Sequence, residues 1–330
     1  MADDPVPPLP PEVVARLRAG TFLLIDKPRG PSSHQVTAWV RDLLGLPRAG
    51  HAGTLDPNVS GLLWIGAGPA LKLLPLLLEF PKRYVAVIDF HATVRRPAVE
   101  AVVREFTGPI FQTPPVRSAV RRRRRVRVVH RLELLELDRS RALLDATVDS
   151  GTYIRSLAVD LGDALGVGGH MAELRRTETG PFSETAAIRL DTLADAIHRA
   201  RAGAPEELLG RLHPLDEVWR AFPRITVKPG AASAIVHGAD LAAGGIARVD
   251  GSFGPGASVV LLDPSGELLA LGTALRDSAH LNGPGWAIDA TRVLGEVARF
   301  PPTWRSPALP PRKAPATVPA PPPAPDPTAG

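Results

Sequence analysis

The placement of proline constrains this chain before anything else. Of 36 prolines, five fall in residues 1–11 and twelve in residues 301–330, which leaves nineteen for the intervening 289. Proline fixes φ and donates no backbone N–H, so dense runs of it cannot build helix interiors or central strands. Pro5-Val6-Pro7-Pro8 and Pro319-Ala320-Pro321-Pro322-Pro323 are therefore expected to be extended and solvated, which assigns residues 1–19 and 301–330 to Pro-rich tails. Between them the composition, 44% hydrophobic and 22% charged overall, suits a chain that buries a core. The length suggests about two domains.

Cysteine is absent, which excludes disulfides, thiolate zinc sites and a cysteine nucleophile. Nine histidines are scattered without a His-x-x-x-His pair, and no Gly-x-x-x-x-Gly-Lys-Ser/Thr loop is present. Neither a metal site nor nucleotide hydrolysis is indicated. The start, Met1-Ala2-Asp3-Asp4-Pro5, has no basic segment followed by an apolar one, and no run approaches the ~18–20 apolar residues of a membrane span. A cytoplasmic protein with no membrane partner is expected.

The net charge of +5 is concentrated in one place. Arg117, Arg121, Arg122, Arg123, Arg124, Arg125, Arg127 and Arg131 put eight arginines and no acid into fifteen residues, so the rest of the chain sums to −3. Guanidinium groups grip phosphate oxygens in bidentate fashion and stack on bases. A solvated basic loop is the plainer reading. The flanks, Val126-Arg127-Val128-Val129 and Leu132-Glu133-Leu134, alternate as strands do, which makes the arginine run the tip of a β-ribbon able to reach a nucleic acid.

Along the chain, Phe22-Leu23-Leu24-Ile25 reads as a buried strand. A helix follows through Val36, Trp39, Val40, Leu43 and Leu44, capped by Ser32 or Ser33 and closed by Gly45. Gly50 to Gly61 reads as a loop before a strand at Leu62–Gly66. Tyr84–Phe90 and Ala142–Asp149 read as strands, Val99–Phe106 and Leu157–Leu165 as helices. Residues 200–210 read as a surface connection or a loosely packed helix. From Ile225 short β-rich runs alternate with turns at Asp250-Gly251 and Asp263-Pro264-Ser265-Gly266, as in a small barrel, with a domain boundary near residue 218.

Asp56 stands in the Gly-rich loop with no second carboxylate near it in sequence. It is a candidate nucleophile or base if a cation such as Arg155 holds it ionised, and otherwise a turn former. The chain has only two tyrosines, Tyr84 and Tyr153, each beside a suspected loop. Either packs at a strand end or offers a face for an extruded base.

These segments together resemble the TruB superfamily of pseudouridine synthases, in its archaeal and eukaryotic dyskerin branch, over about residues 20–300. Leu24-Ile25-Asp26-Lys27-Pro28-Arg29-Gly30-Pro31-Ser32-Ser33-His34 is similar to the family's first motif, and Gly50-His51-Ala52-Gly53-Thr54-Leu55-Asp56-Pro57 to its catalytic loop. Pro114-Pro115-Val116-Arg117, Gly151-Thr152-Tyr153-Ile154-Arg155-Ser156 and His170-Met171-Ala172-Glu173-Leu174-Arg175-Arg176 follow the same branch. His237-Gly238-Ala239-Asp240-Leu241-Ala242 resembles the PUA domain, an RNA-binding barrel.

The resemblance implies an α+β protein: a mixed, largely antiparallel bent sheet as synthase core over residues 20–218, then a small β-barrel PUA domain over 219–300. It implies Asp56 as catalytic aspartate, Arg155 as its partner, Tyr84 as base-stacking tyrosine and Tyr153 beside them. Leu174 would line the base pocket, while Lys27 and His51 would support the loop. Arg117, Arg121 to Arg125, His237 and Gly238 would bind RNA. The implied reaction converts uridine in RNA to pseudouridine without a cofactor. The implied partners are a box H/ACA guide RNA, a ribosomal or transfer RNA substrate, and small zinc-ribbon-like, glycine-arginine-rich-type and kink-turn-binding proteins. Stand-alone modification of the tRNA T-loop and a non-catalytic RNA scaffold are the alternatives.

Overall fold

Thr21–Lys27 (β1) is buried along its length except at Asp26, so its near-continuous apolar run is a strand covered on both faces. The computed structural model describes residues 7–113 and 123–301, and it divides into two units, Met1–Phe222 and Pro223–Gly330. In the first unit β1 is followed by β2 (Ala49–Ala52), β3 (Val59–Ala67), β4 (Lys82–Phe90), β5 (Gly108–Gln112), β6 (Arg125–Asp138), β7 (Arg141–Val148), β8 (Gly169–Thr179), β9 (Phe182–Ser183) and β10 (His213–Pro214). Among the described residues these form one ten-stranded sheet in the order β10-β1-β3-β8-β4-β7-β6-β5, with β2 added to β3 and β9 to β8. All pairs are antiparallel except β3 with β8. That parallel pair sets Val59 beside Leu174.

The helices of this unit are α1 (Pro11–Ala19), α2 (Ser33–Leu43), α3 (Leu74–Glu79), α4 (Arg96–Glu105), α5 (Ile154–Ala164), α6 (Leu190–Arg201), α7 (Glu206–Arg211) and α8 (Leu215–Trp219). One core packs Val36 and Val40 of α2 and Leu193 and Ile197 of α6 onto Leu23, Ile25, Leu63 and Ile65. A second packs Val99 and Val103 of α4 and Leu157 and Leu161 of α5 onto Ala86, Ile88 and Leu144. Tyr84, Met171 and Leu174 touch both cores, so the seam between them runs past the middle of β4 and β8.

Four expectations are corrected here. Residues 11–19 are no tail: Pro11 opens α1, where its missing N–H is not needed, and Val13 and Leu17, one turn apart, are buried. The loop read over 50–61 is shorter, because Ala49–Ala52 pairs with β3 before the chain turns. Residues 200–210 hold the end of α6 and the start of α7, whose Leu208 is fully buried. Helix α5 begins before Leu157, so Arg155 sits in its first turn and Tyr153 is the residue just before it. The division between units follows α8, since Val218 and Trp219 are buried and Phe222 packs 5.1 Å from Phe80.

The second unit contains β11 (Arg224–Val227), α9 (Pro229–Val236), β12 (Leu241–Ala242), β13 (Ile246–Asp250), β14 (Ser258–Leu262), β15 (Leu268–Ala274) and β16 (Trp286–Val293). Its sheet, in the order β12-β16-β15-β14-β11-β13, curls into a half-barrel around Ile225, Val259, Leu261 and Ile288.

Candidate active site

Gly53 to Asn58 joins β2 to β3, and groups outside the loop hold every second carbonyl along it. Arg176, buried on β8, donates from Nη2 to Gly53 O at 2.7 Å and from Nε to Leu62 O at 2.7 Å. Ser33 Oγ donates to Leu55 O at 2.9 Å and accepts from Leu55 N at 2.8 Å. Lys27 Nζ, with no solvent access at the end of β1, donates to Pro28 O at 2.8 Å, Pro57 O at 3.3 Å and Val59 O at 2.8 Å. Gly30 N donates to Pro57 O at 2.8 Å. Within the loop, Val59 N closes on Asp56 O at 3.0 Å.

A buried cation is tolerated only where acceptors replace its water, and here the acceptors are the loop's own carbonyls. Burial pushes Lys27 below the ordinary lysine range and the charge of Asp56 pulls it back up. Ser33 is aimed at Leu55 by a capping box one residue earlier, in which Ser32 and Gln35 exchange side-chain and backbone bonds at 2.8 and 3.2 Å. The close approach also needs glycine. At Gly61, with φ +102°, a Cβ would stand 2.2 Å from Arg176 O.

The loop presents the Asp56 carboxylate to Arg155, whose Nη2 lies 3.1 Å from Oδ2. Both side chains are partly exposed, 49% and 39%, so in water the pair adds little stability and gains strength when a ligand displaces solvent. Arg155 is placed by the turn before it. The buried amide of Gln112 accepts from Tyr153 N at 2.9 Å and donates to Tyr153 O at 3.2 Å, tying the end of β5 to the start of α5.

Asp56, Arg155, Tyr84, Tyr153 and Leu174 line one cleft of about 540 Å³, the volume of a small-molecule site. Val59, Leu78 and Met171 supply further apolar wall. Lys82, Arg125, Arg127, Arg155 and Arg176 face it too, against Asp56 as the one carboxylate among the described lining residues. Lys82 is 4% exposed and donates to the carbonyls of Leu77, Leu78 and Phe80 and to Ser150 Oγ at 3.2 Å. Burial first, and the charge of Arg176 second, push its ammonium down to about 7. The cleft is built for a polyanion carrying a flat, partly apolar group.

Lys27 lies behind the loop, on the carbonyls of Pro57 and Val59. His51 departs from the expected grouping. Its ring sits on β2 in a neighbouring recess with His34 and Arg41, edge-on to His34 at 4.7 Å. Its Nδ1 is buried with no partner, and burial, His34 and Arg176 together push the imidazole below its ordinary range.

Of the arginine run, Arg123, Arg124 and Arg125 are exposed at the start of β6, and Arg125 reaches the cleft. Arg117, Arg121 and Arg122 lie outside the described residues, as does the hairpin tip between the paired β5 and β6. Arg131 leaves the run: a register shift after Val129 turns it to the other face of the sheet, onto Glu133 and Asp145. In the second unit His237 donates from Nδ1 to Ser233 O at 2.7 Å and Gly238 takes φ +91° at the end of α9. Neither lines that unit's recess of about 710 Å³, whose walls include Lys228, Asp240, Gly245 and Trp286. Ser33, Lys82, Gln112 and Arg176 were not among the expected site residues. Each acts mainly on backbone groups, which leave no residue pattern to read.

Comparison with known proteins agrees with this geometry. Residues 41–97 match the N-terminal domain of the TruB family of pseudouridylate synthases, 155–219 the tRNA pseudouridylate synthase B C-terminal domain, and 223–284 the PUA domain. A probable tRNA pseudouridine synthase B of Methanopyrus kandleri is 44% identical over 284 residues, 85% of this chain and 84% of that one. Its counterpart in Methanothermobacter thermautotrophicus is 41% identical over 303 residues, 91% and 93%. A chain in the crystal structure of a Cbf5–Nop10–Gar1 complex superposes with TM-score 0.81 at 39% identity, over 90% of this chain and 92% of that one. One in an H/ACA ribonucleoprotein bound to a substrate RNA containing 2′-deoxyuridine superposes with TM-score 0.77 at 36% identity, over 91% and 94%. With its carboxylate loop, its cationic cleft and these relatives spanning most of its length, the chain belongs to the TruB family of pseudouridylate synthases and carries a C-terminal PUA domain.

Proposed function

We propose that Asp56 carries the chemistry, acting on a uridine swung out of an RNA strand into the cleft. The observation that carries this reading is the placement of the cleft's one described carboxylate. It is held by a loop anchored at three carbonyls, paired with Arg155, and lined by Tyr84 and Leu174. Extruding a base costs about a few kcal/mol, which stacking on Tyr84 and phosphate contacts to Arg125 and Arg127 offset. The C1′–N1 bond breaks, the uracil turns against Leu174 and Met171, and C1′ bonds to C5. N1 gains a proton and C5 loses one, so the product is an isomer. Asp56 starts this as nucleophile or as base toward the sugar. Tyr153 and Arg155 keep it oriented, and Lys27 keeps its loop in place.

The leading reading of the assembly is a guide-dependent enzyme. Its supports are the similar chains found with Nop10 and Gar1 and in an H/ACA ribonucleoprotein bound to substrate RNA. The corresponding partners are a guide RNA held by the PUA domain through the His237-Gly238 segment, a substrate RNA, a zinc-ribbon-like and a glycine-arginine-rich-type protein, and a kink-turn-binding protein. The names of the curated relatives favour a second reading, in which the chain modifies tRNA unaided. A cytoplasmic setting belongs to both. Among the described residues no helix is long and apolar enough to cross a membrane.

The deciding experiment incubates the chain alone with unmodified tRNA transcript, and in parallel with guide RNA, target RNA and partner proteins, then counts pseudouridines by chemical mapping. Conversion only in the guided mixture is the expected result. Conversion of tRNA by the lone chain makes the guide optional. RNA binding with conversion in neither mixture removes the catalytic reading.

A further inference from the structure

Phe111 is the least hidden large apolar side chain among the described residues, 64% exposed near the end of β5. A phenylalanine left in water forgoes the burial that stabilises its neighbours, so its surroundings matter. The Arg124 guanidinium sits over its ring, 4.5 Å from the centroid. The ring also lines a recess of about 440 Å³ with Thr113, Arg155, Ser156, Val159 and Asp160. Val159 is 44% exposed, a second apolar surface on the same wall.

Two residues of that wall, Arg155 and Gln112, also face the 540 Å³ cleft. The recess therefore adjoins the place where the uridine is expected to sit, with Gln112 and Arg155 as the shared wall.

We propose that this recess is a subsite for an unpaired nucleotide adjoining the target uridine, whose base stacks on Phe111 while Arg124 meets its backbone. The proposal rests on the reading of the neighbouring cleft as the uridine site. Its chemistry is that of single-strand RNA recognition, in which exposed aromatic faces and guanidinium planes receive splayed bases. Asp160 fits a base better than a phosphate. Its carboxyl oxygens can accept from the N–H edge of a base and offer a phosphate no donor, while burial and the nearby Asp163 raise the group above its ordinary range. Ser156 and Thr113 add hydroxyls of either hydrogen-bonding sense.

Equilibrium binding tests this with three RNAs that share one target uridine: intact, abasic on its 5′ side, and abasic on its 3′ side. They are used as the target RNA, with guide RNA and partner proteins all present. Phe111→Ala is expected to weaken the intact RNA about tenfold, the scale of one lost base stack. Phe111→Trp is expected to restore it. One of the abasic RNAs should bind wild type and Phe111→Ala alike, because its stacking partner is already gone. The subsite is refuted if Phe111→Ala costs nothing on intact RNA, or costs the same on both abasic RNAs. It is also refuted if the substitution releases a protein partner while RNA affinity stays. Pseudouridine is counted in the same samples. Wild type that binds but does not convert breaks the reading of the cleft, whereas normal conversion with no Phe111 effect breaks only the subsite.

Discussion

Two faces of the same ten-stranded sheet carry arginine, and they carry it in opposite company. On the face of β4 away from Tyr84, Arg83 meets Asp145 at 2.6 Å and Glu178 at 2.7 Å. There too Arg131 meets Glu133 and Asp145, Arg175 meets Asp26 at 2.9 Å and Glu184 at 2.6 Å, and Arg141 meets Asp89 at 3.0 Å. Carboxylates outnumber guanidinium groups along this ladder, and the paired acids hold Arg83, Arg131 and Arg175 above the ordinary arginine range. On the cleft face the proportions reverse, five basic side chains to Asp56. The buried ones there, Lys82 and Arg176, are satisfied by carbonyls and a hydroxyl, which cancel none of their charge. Arginine count says little about where a polyanion binds. The local supply of carboxylate sets the sign of the field at each face.

The sharpest way to break this comparison is to remove a cation that works through the backbone. Lys27→Met removes the ammonium that gathers the carbonyls of Pro28, Pro57 and Val59, leaves Pro57 O to Gly30 N alone, and lets Asp56 drift. Turnover per folded molecule is expected to fall about 10²-fold, the cost of roughly 1 Å of misplacement, with RNA affinity within a few-fold. Single-turnover kinetics on protein verified as folded measures this, and unchanged turnover would mean the anchor is not needed.

A smaller effect separates the two faces directly. Replacing Arg125 and Arg127 by Ala should weaken RNA binding about tenfold and lower the slope of log Kd against log salt by roughly 1.5. Arg131→Ala, on the ladder, should leave both unchanged. Equal effects from the two variants would erase the distinction.

Much of the site was legible because its residues sit in local patterns. Asp56 stood in a Gly-rich loop, Arg155 and Tyr153 in one turn, and Tyr84 was one of two tyrosines. The strands around them followed from apolar runs such as Phe22–Ile25, and α2 from its spacing and cap. Groups that bond carbonyls across 22 to 123 residues of chain left no local pattern: Ser33 and Arg176 meet the loop only in three dimensions, and Lys27 was named only through the family resemblance. Helix α1 was hidden by prolines that a helix start accepts. The side of the sheet that Arg131 takes depends on a register irregularity that alternation alone does not reveal.

A separate test concerns stability. Lys82 has a folded value of about 7 against an ordinary 10.5. Between those values the unfolded chain holds the proton and the folded chain does not, so this group's penalty is full below about 7 and fades as pH rises toward 10.5. Urea midpoints of wild type should therefore gain on those of Lys82→Met from pH 7 to pH 10. Parallel pH profiles would place Lys82 outside this account.

The central claim is that Asp56 does chemistry and does not hold RNA. Asp56→Asn keeps the size of the side chain and removes its charge, and conversion of uridine and RNA affinity can be measured on one preparation. The account requires conversion to fall by about 10³-fold or more while affinity stays within a few-fold. Conversion that persists, or affinity that collapses along with it, would contradict the account.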